Sequence, residues 1–230
     1  MTFVNDAACR IAAALHGGDP YDGFPYQEYA PDLQGWDSRS SVFVELIDLV
    51  RPQVVIEVGT WKGASAVFMC EVMARAGIAG AVVCVDTWLG GERLWQHADD
   101  PAFGAIRSYM RFGRPVELYH QFLANVMHRG FRDRIVPFPN TSANAARWLH
   151  REGITAGLVY LDGSHHERDV YNDLVDYWEL VEDGGALAGD DWSPHYPGVE
   201  RAVTRFAGEA GCVVELRDEA KWFLRKPAPR

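Results

Sequence analysis

Residues 54–63 read VVIEVGTWKG: a β-branched apolar run carrying one carboxylate, then a turn bounded by two glycines, with helical apolar spacing from Ala64 to about Ala76. A strand, a glycine turn and a helix open a βα unit, and the carboxyl end of such a strand is where open α/β sheets bind ligands. The turn argues against two ligand classes. A dinucleotide fold places GxGxxG here so that backbone amides close on a pyrophosphate, whereas Trp61 occupies the place of the middle glycine. A phosphate-cradling loop needs Ser or Thr after Gly-Lys, whereas Lys62 is followed by Gly63 and Ala64. What remains is backbone freedom at Gly59 and Gly63 with Glu57 just before them, an arrangement suited to a ligand with a cationic amino group and no phosphate.

The same rhythm continues on both sides of this stretch. AVVCVD at 81–86, RIVPF at 134–138, LVYLD at 158–162 and GALAGDD at 185–191 alternate with the amphipathic patterns SANAARWLH and DVYNDLVDYWELV. Short β-branched runs separated by helices predict an α/β fold with a mostly parallel sheet and helices on both faces. After a helix near Val199–Glu209, CVVELRD and KWFLRK are separated by too few residues for a parallel crossover. They are therefore expected to form an antiparallel C-terminal hairpin. Helical spacing at Asp6–Leu15 and Ser38–Val50 makes 1–50 an N-terminal helical extension of a main unit at 51–230. Residues 87–133, rich in aromatic side chains, His and Arg, form an insertion much longer than an ordinary connection. It reads either as a helical lid over the site or as an added helix packed on the sheet edge.

Composition narrows the function. With 230 residues, 48% hydrophobic, the chain can fill one sizeable core. A formal charge of −10 opposes a polyanionic partner, so no nucleic acid is expected. Cys9, Cys70, Cys84 and Cys212 are scattered without a CxxC pair, as in a reducing, cytoplasmic setting. No basic leader and no apolar run of membrane-spanning length is present, so no membrane segment is expected.

Acids cluster at the predicted strand ends. Asp86 closes the second strand, where a carboxylate can accept hydrogen bonds from both hydroxyls of a ribose. The alternative for Glu57 and Asp86 is simple capping of nearby turns and helices. Asp162 ends the LVYLD strand, and Asp190 and Asp191 end GALAGDD. Neighbouring parallel strands share an edge, so these carboxylates converge, and like charges in a confined site call for a cation. A hard divalent ion with oxygen ligands, Mg²⁺ by preference, meets that need. His165, three residues after Asp162, is placed to take a proton from an acceptor hydroxyl. The bland alternatives are helix capping by Asp162 and an ion pair for Asp190. His166 reads as a surface or capping residue, His195 as either a lining of the acceptor pocket or an exposed side chain, and Trp88, Trp95 and Trp192 as either pocket walls or core.

Over residues 50–226 the chain resembles the class I S-adenosylmethionine-dependent methyltransferases, on EVGTWKG, VVCVDTW and the closing CVVELRDEAKWFLRK. That resemblance implies a seven-stranded Rossmann-like sheet with its last pair antiparallel. It also implies S-adenosyl-L-methionine as cofactor, with Glu57, Gly59, Thr60, Gly63 and Ser65 around its methionine part. Asp86 and Thr87 would lie by the ribose, and Asn140, Thr141 and Ser142 by the adenine. The spacing of Asp162, His165, Asp190 and Asp191 is similar to a narrower group, the metal-dependent macrocin- and mycinamicin-type sugar O-methyltransferases. By that resemblance Asp162, Asp190 and Asp191 hold the metal, Asp162 also borders the cofactor, and His165 is the base. Where that group often has Glu, this chain has the shorter Asp190. The catechol-type enzymes share the layout with Asp-Asn at this place, so a phenol joins sugars as the hydroxyl-bearing small-molecule acceptor. Two further readings stay open: a metal-independent methyltransferase whose Asp162 and Asp190 bind the acceptor directly, and a non-catalytic cofactor-binding subunit. The N-terminal helices and the insertion can equally cover a second copy, which makes a homo-oligomer a further expectation.

Overall fold

The computed structural model describes residues 6–92, 116–218 and 220–228. In chain order the elements are α1 (Asp6–His16), a short 3₁₀ turn (Tyr26–Glu28), α2 (Ser41–Val50), β1 (Val54–Val58), α3 (Ala64–Arg75) and β2 (Ala81–Asp86). They continue with α4 (Val116–His128), β3 (Ile135–Pro139), α5 (Ser142–Arg151), β4 (Ala156–Leu161) and α6 (Glu167–Trp178). β5 (Val181–Gly189), α7 (Pro197–Ala210), β6 (Glu215–Arg217) and β7 (Lys221–Arg225) complete the chain. The seven strands form one sheet in the order β3-β2-β1-β4-β5-β7-β6. β1 to β5 pair in parallel, and β7 runs antiparallel to both β5 and β6, as the short C-terminal connection requires.

Strand alternation sends side chains to two cores. Ile56, Val58, Val83, Phe138, Val159, Leu187 and Trp222 pack beneath α1, α5, α6 and α7. Val55, Cys84, Tyr160, Ala188 and Phe223 pack beneath α2, α3 and α4. Both faces of the central strands are therefore buried, which is why they read as continuous apolar runs. The N-terminal helices belong to these cores: Ile11 lies in the first, and Phe43, Leu46 and Ile47 in the second. Ser40 caps α2 by accepting a hydrogen bond from the Val42 amide at 3.1 Å, which satisfies an otherwise free helix N–H.

The insertion is partly within view. α4, its C-terminal part, is an ordinary crossover helix with Leu118, Phe122 and Val126 in the core. Whether the rest forms a lid falls on residues 93–115, outside the described residues, as does Trp95. Trp88, a candidate for either the acceptor pocket or the core, lies in the core, 1% exposed, and its indole donates to the Trp61 carbonyl at 2.8 Å. Among the described residues no helix is long and apolar enough to cross a membrane.

Candidate active site

Two sets of residues meet at the carboxyl edge of the sheet. The first is the turn after β1. Gly59 has φ +82°, and a Cβ on it would lie 2.0 Å from the Asp162 carbonyl oxygen, so the turn runs directly against the end of β4. Asp86 fastens this turn: its Oδ2 accepts the amides of Thr60 at 3.0 Å and Trp61 at 2.9 Å, and its Oδ1 accepts the Trp88 amide at 2.7 Å. Burial raises the Asp86 carboxyl while these amides pull it back. Thr87 sits on the exposed side of the same corner, its hydroxyl accepting the Leu89 amide at 3.2 Å.

Glu57 lies beneath the turn, fully buried. Alternation puts it on the face of Val55, toward α3, where the Thr60 hydroxyl and the Cys84 thiol donate to its Oε2 and Ser65 also hydrogen-bonds it. Thr60 and Ser65, expected at the cofactor, thus turn their hydroxyls inward. Oε1 of Glu57 has no hydrogen-bond partner. Burial pushes this carboxyl up from 4.5 to about 7, with the three hydrogen bonds opposing the rise and the charge of Asp86 adding to it. A folded-state value above the unfolded one means that the native state holds the extra proton, so stability falls as pH rises through this window. The cofactor-free protein is therefore expected to lose roughly 3 kcal/mol between these two pH values through Glu57, at about 1.4 kcal/mol per pH unit. Denaturant titrations across that range on wild type and Glu57→Gln check this, and parallel pH profiles would refute it.

Sequence reasoning missed the support behind the turn. Lys62 is 1% exposed, and its ammonium pairs with Asp32 at 2.6 Å. Asn125 of α4 donates to the carbonyls of Asp32 at 2.7 Å and Lys62 at 2.9 Å, and accepts the Asp32 amide at 2.9 Å. The segment before α2 is thereby fixed to the glycine turn. A glycine-rich turn advertises its backbone and gave no sign that Lys62 points inward.

The residues expected by the adenine also cap the next helix. Thr141 is the N-cap of α5, its hydroxyl accepting the Asn144 amide at 3.3 Å, and Asn140 accepts the Thr141 amide at 2.9 Å. Ser142 hydrogen-bonds Asp173, whose carboxyl is raised to about 6 chiefly by burial. Asn140 also lines an open cavity of about 610 Å³ with His16, Arg147 and Trp148, which contains none of the strand-end acids.

The second set is the acidic cluster, in a cleft lined by Asp162, His165, Asp190, Asp191 and Trp222. Asp162 follows β4, and its carboxyl stands well above the ordinary range because of burial first, then the charges of Asp190 and Asp191. Asp162, His165 and Asp191 each offer a ligand atom within 4.8 Å of the others'. His165 Nε2 lies 2.7 Å from Asp191 Oδ2, and its ring stacks on Tyr196 at 4.2 Å. The loop after β5 thus contributes Tyr196, while His195 is exposed. His166, also exposed, pairs with Glu92 at 2.7 Å.

Asp190, expected either among the metal ligands or in an ion pair, takes the Lys221 ammonium and, at 3.1 Å, the Tyr160 hydroxyl on its Oδ2, while its Oδ1 accepts the Asp191 amide at 2.8 Å. The cause lies in the backbone: Asp191 has φ +65°, a corner that sends the two adjacent carboxylates in different directions. The partner cation comes from β7, where Lys221 is 2% exposed.

Comparison with known proteins agrees with this architecture. Residues 56–192 match a family described as a methyltransferase domain. Among solved structures, the O-methyltransferase NovP aligns at TM-score 0.60 and 16% identity, covering 97% of this chain and 98% of that one. The O-methyltransferase TomG from Streptomyces achromogenes, in complex with SAM, aligns at 0.57 and 14%, covering 97% and 91%. The O-methyltransferase from Bacillus cereus, in complex with SAH, aligns at 0.55 and 15%, covering 96% and 89%. At these identities the likeness is one of fold. Comparison with curated proteins gives no match.

Proposed function

The chain belongs to the methyltransferase domain family, and from that premise we propose that it is an S-adenosylmethionine-dependent O-methyltransferase using Mg²⁺. Its acceptor would be a hydroxyl of a glycosylated or aromatic small molecule. The observation that carries this reading is adjacency: the backbone of Asp162 lies against the cofactor-type turn at Gly59, and its carboxylate belongs to the cluster with His165 and Asp191. A methyl donor and a hydroxyl acceptor need such a shared border, because transfer requires donor carbon and acceptor oxygen in line.

The residues present fit both groups. Glu57 Oε1, buried without a partner beneath the turn, is an acceptor suited to an amino group of the cofactor. Asp86 spends its carboxylate on backbone amides and so fixes the turn beside which a ribose would lie. The carboxylates of Asp162 and Asp191 suit a hard divalent cation that retains several waters, with His165 beside them left free to act as a base. When bound, that ion would supply charge stabilisation to the acceptor oxygen. The chain's own part is to hold the imidazole of His165 between Asp191 and Tyr196, ready to take the hydroxyl proton. The cofactor, held against the Gly59 turn above Glu57 and Asp86, would supply the methyl group as an electrophile on sulfur and would be released as S-adenosylhomocysteine.

The test is turnover on a panel of glycosides and phenols after EDTA treatment, with and without added Mg²⁺. Removing metal is expected to lower turnover by at least roughly a hundredfold, with recovery on addition. Undiminished turnover would remove the metal and turn the acidic cleft into an acceptor-binding loop.

A further inference from the structure

Lys221 has no role in the reaction as described, yet among the described residues it is one of the most buried basic side chains, 2% exposed. Its ammonium donates to Asp190 and, at 3.2 Å, to the Tyr160 hydroxyl, and it lies 5.7 Å from the Phe43 ring centroid. Burying an ammonium costs several kcal/mol unless it is paired, so its place under the cleft demands a compensating reason. The charges supply one. With a divalent ion in place, which favours the ionised carboxylates, Asp162, Asp190 and Asp191 bring three negative charges and Lys221 one positive, an excess of two that the ion cancels.

Resting on the metal reading above, we propose that Lys221 is a positioning residue: it serves as the permanent counter-ion of Asp190, withholds that carboxylate from the metal and leaves Asp191 as the ligand from β5. The corner is held at several points. Besides Lys221 and Tyr160 on its carboxylate, Asp190 has its carbonyl bound by the Trp222 indole at 3.0 Å, and its Oδ1 ties down the Asp191 amide at 2.8 Å. These contacts maintain the left-handed Asp191 and so the direction of its carboxylate toward His165. Lys221 and Trp222 are consecutive in β7, so one strand supplies the cation on one face and the indole on the other.

Calorimetric titration of EDTA-treated protein with Mg²⁺ tests this without an acceptor. Asp190→Asn leaves the Lys221 ammonium unpaired beside the cation site and is expected to weaken metal binding by about 10–100-fold, the range typical of groups that orient metal ligands. Adding Lys221→Met to Asp190→Asn removes the stranded charge and is expected to restore affinity to near the wild-type value. If Asp190 were itself a ligand, the double variant would bind no better than the single one, which overturns the proposal, as would an Asp190→Asn protein that binds metal like wild type. Asp190→Asn with Lys221→Gln keeps polar groups in the pocket and gives the same comparison should the Met variant fold poorly. A wild-type protein that binds no Mg²⁺ refutes the metal reading itself, and this proposal with it, before any variant is made.

Discussion

Asparagine in place of Asp162 is expected to raise the thermal midpoint of the metal-free protein while removing Mg²⁺ binding and lowering turnover by about three orders of magnitude, the scale of losing metal polarisation. The two effects share one origin. The Asp162 carboxyl is pushed well above its ordinary range by burial and by Asp190 and Asp191. Near neutral pH the native state therefore carries a charge, or an extra proton, that the unfolded chain accommodates at less cost, and this penalty grows as pH rises above the unfolded value. An amide keeps the shape and removes the penalty. Calorimetric melting, metal titration and turnover on one preparation check the three parts, and a variant that melts lower would show that Asp162 is a structural residue. His165→Ala offers the contrast: a kcat lower by roughly 10²–10⁴ if it is the base, with binding of S-adenosylhomocysteine unchanged. An unaltered kcat would rule that role out.

Gly59→Ala is expected to destabilise the fold by more than about 3 kcal/mol, combining the cost of a left-handed alanine with overpacking. The added methyl would meet the Asp162 carbonyl oxygen at 2.0 Å and its carbon at 2.5 Å, both backbone atoms in a paired strand end. Relief requires β1 and β4 to move apart where the cofactor turn and the acidic cluster adjoin, so surviving folded protein should also lose affinity for S-adenosylhomocysteine. Denaturant midpoints together with a binding isotherm test this. Gly63→Ala is a useful comparison, because its Cβ would meet only the Phe122 side chain, at 2.9 Å.

The sheet was readable because each parallel strand is covered on both faces and so becomes a compact apolar run, and because two residue patterns too close for a crossover can only form a hairpin. Asp162 and His165 were readable for the same reason: polar residues after such a run must sit at the sheet's edge. The different surroundings of Asp190 and Asp191 were not. They depend on a positive φ at Asp191 and on a lysine thirty-one residues away from Asp190. In KWFLR, burial on both faces removes the alternation that would have marked Lys221 as pointing inward. Trp88 stayed open for a related reason, since an aromatic residue beside a strand end suits either a pocket wall or the core, and only packing against Tyr119 and Phe122 decides.

The sheet order also constrains how the protein is made. β7 pairs with β5, although α7 and β6 lie between them in the chain. During synthesis β5 therefore leaves the ribosome with an open hydrogen-bonding edge, and Asp190 emerges before its lysine exists. Unpaired edges of this kind template aggregation. A nascent chain halted before Lys221 should consequently depend on chaperones, and the charge balance of the cleft should be established only in the last step of folding, when β7 slots in beside β5.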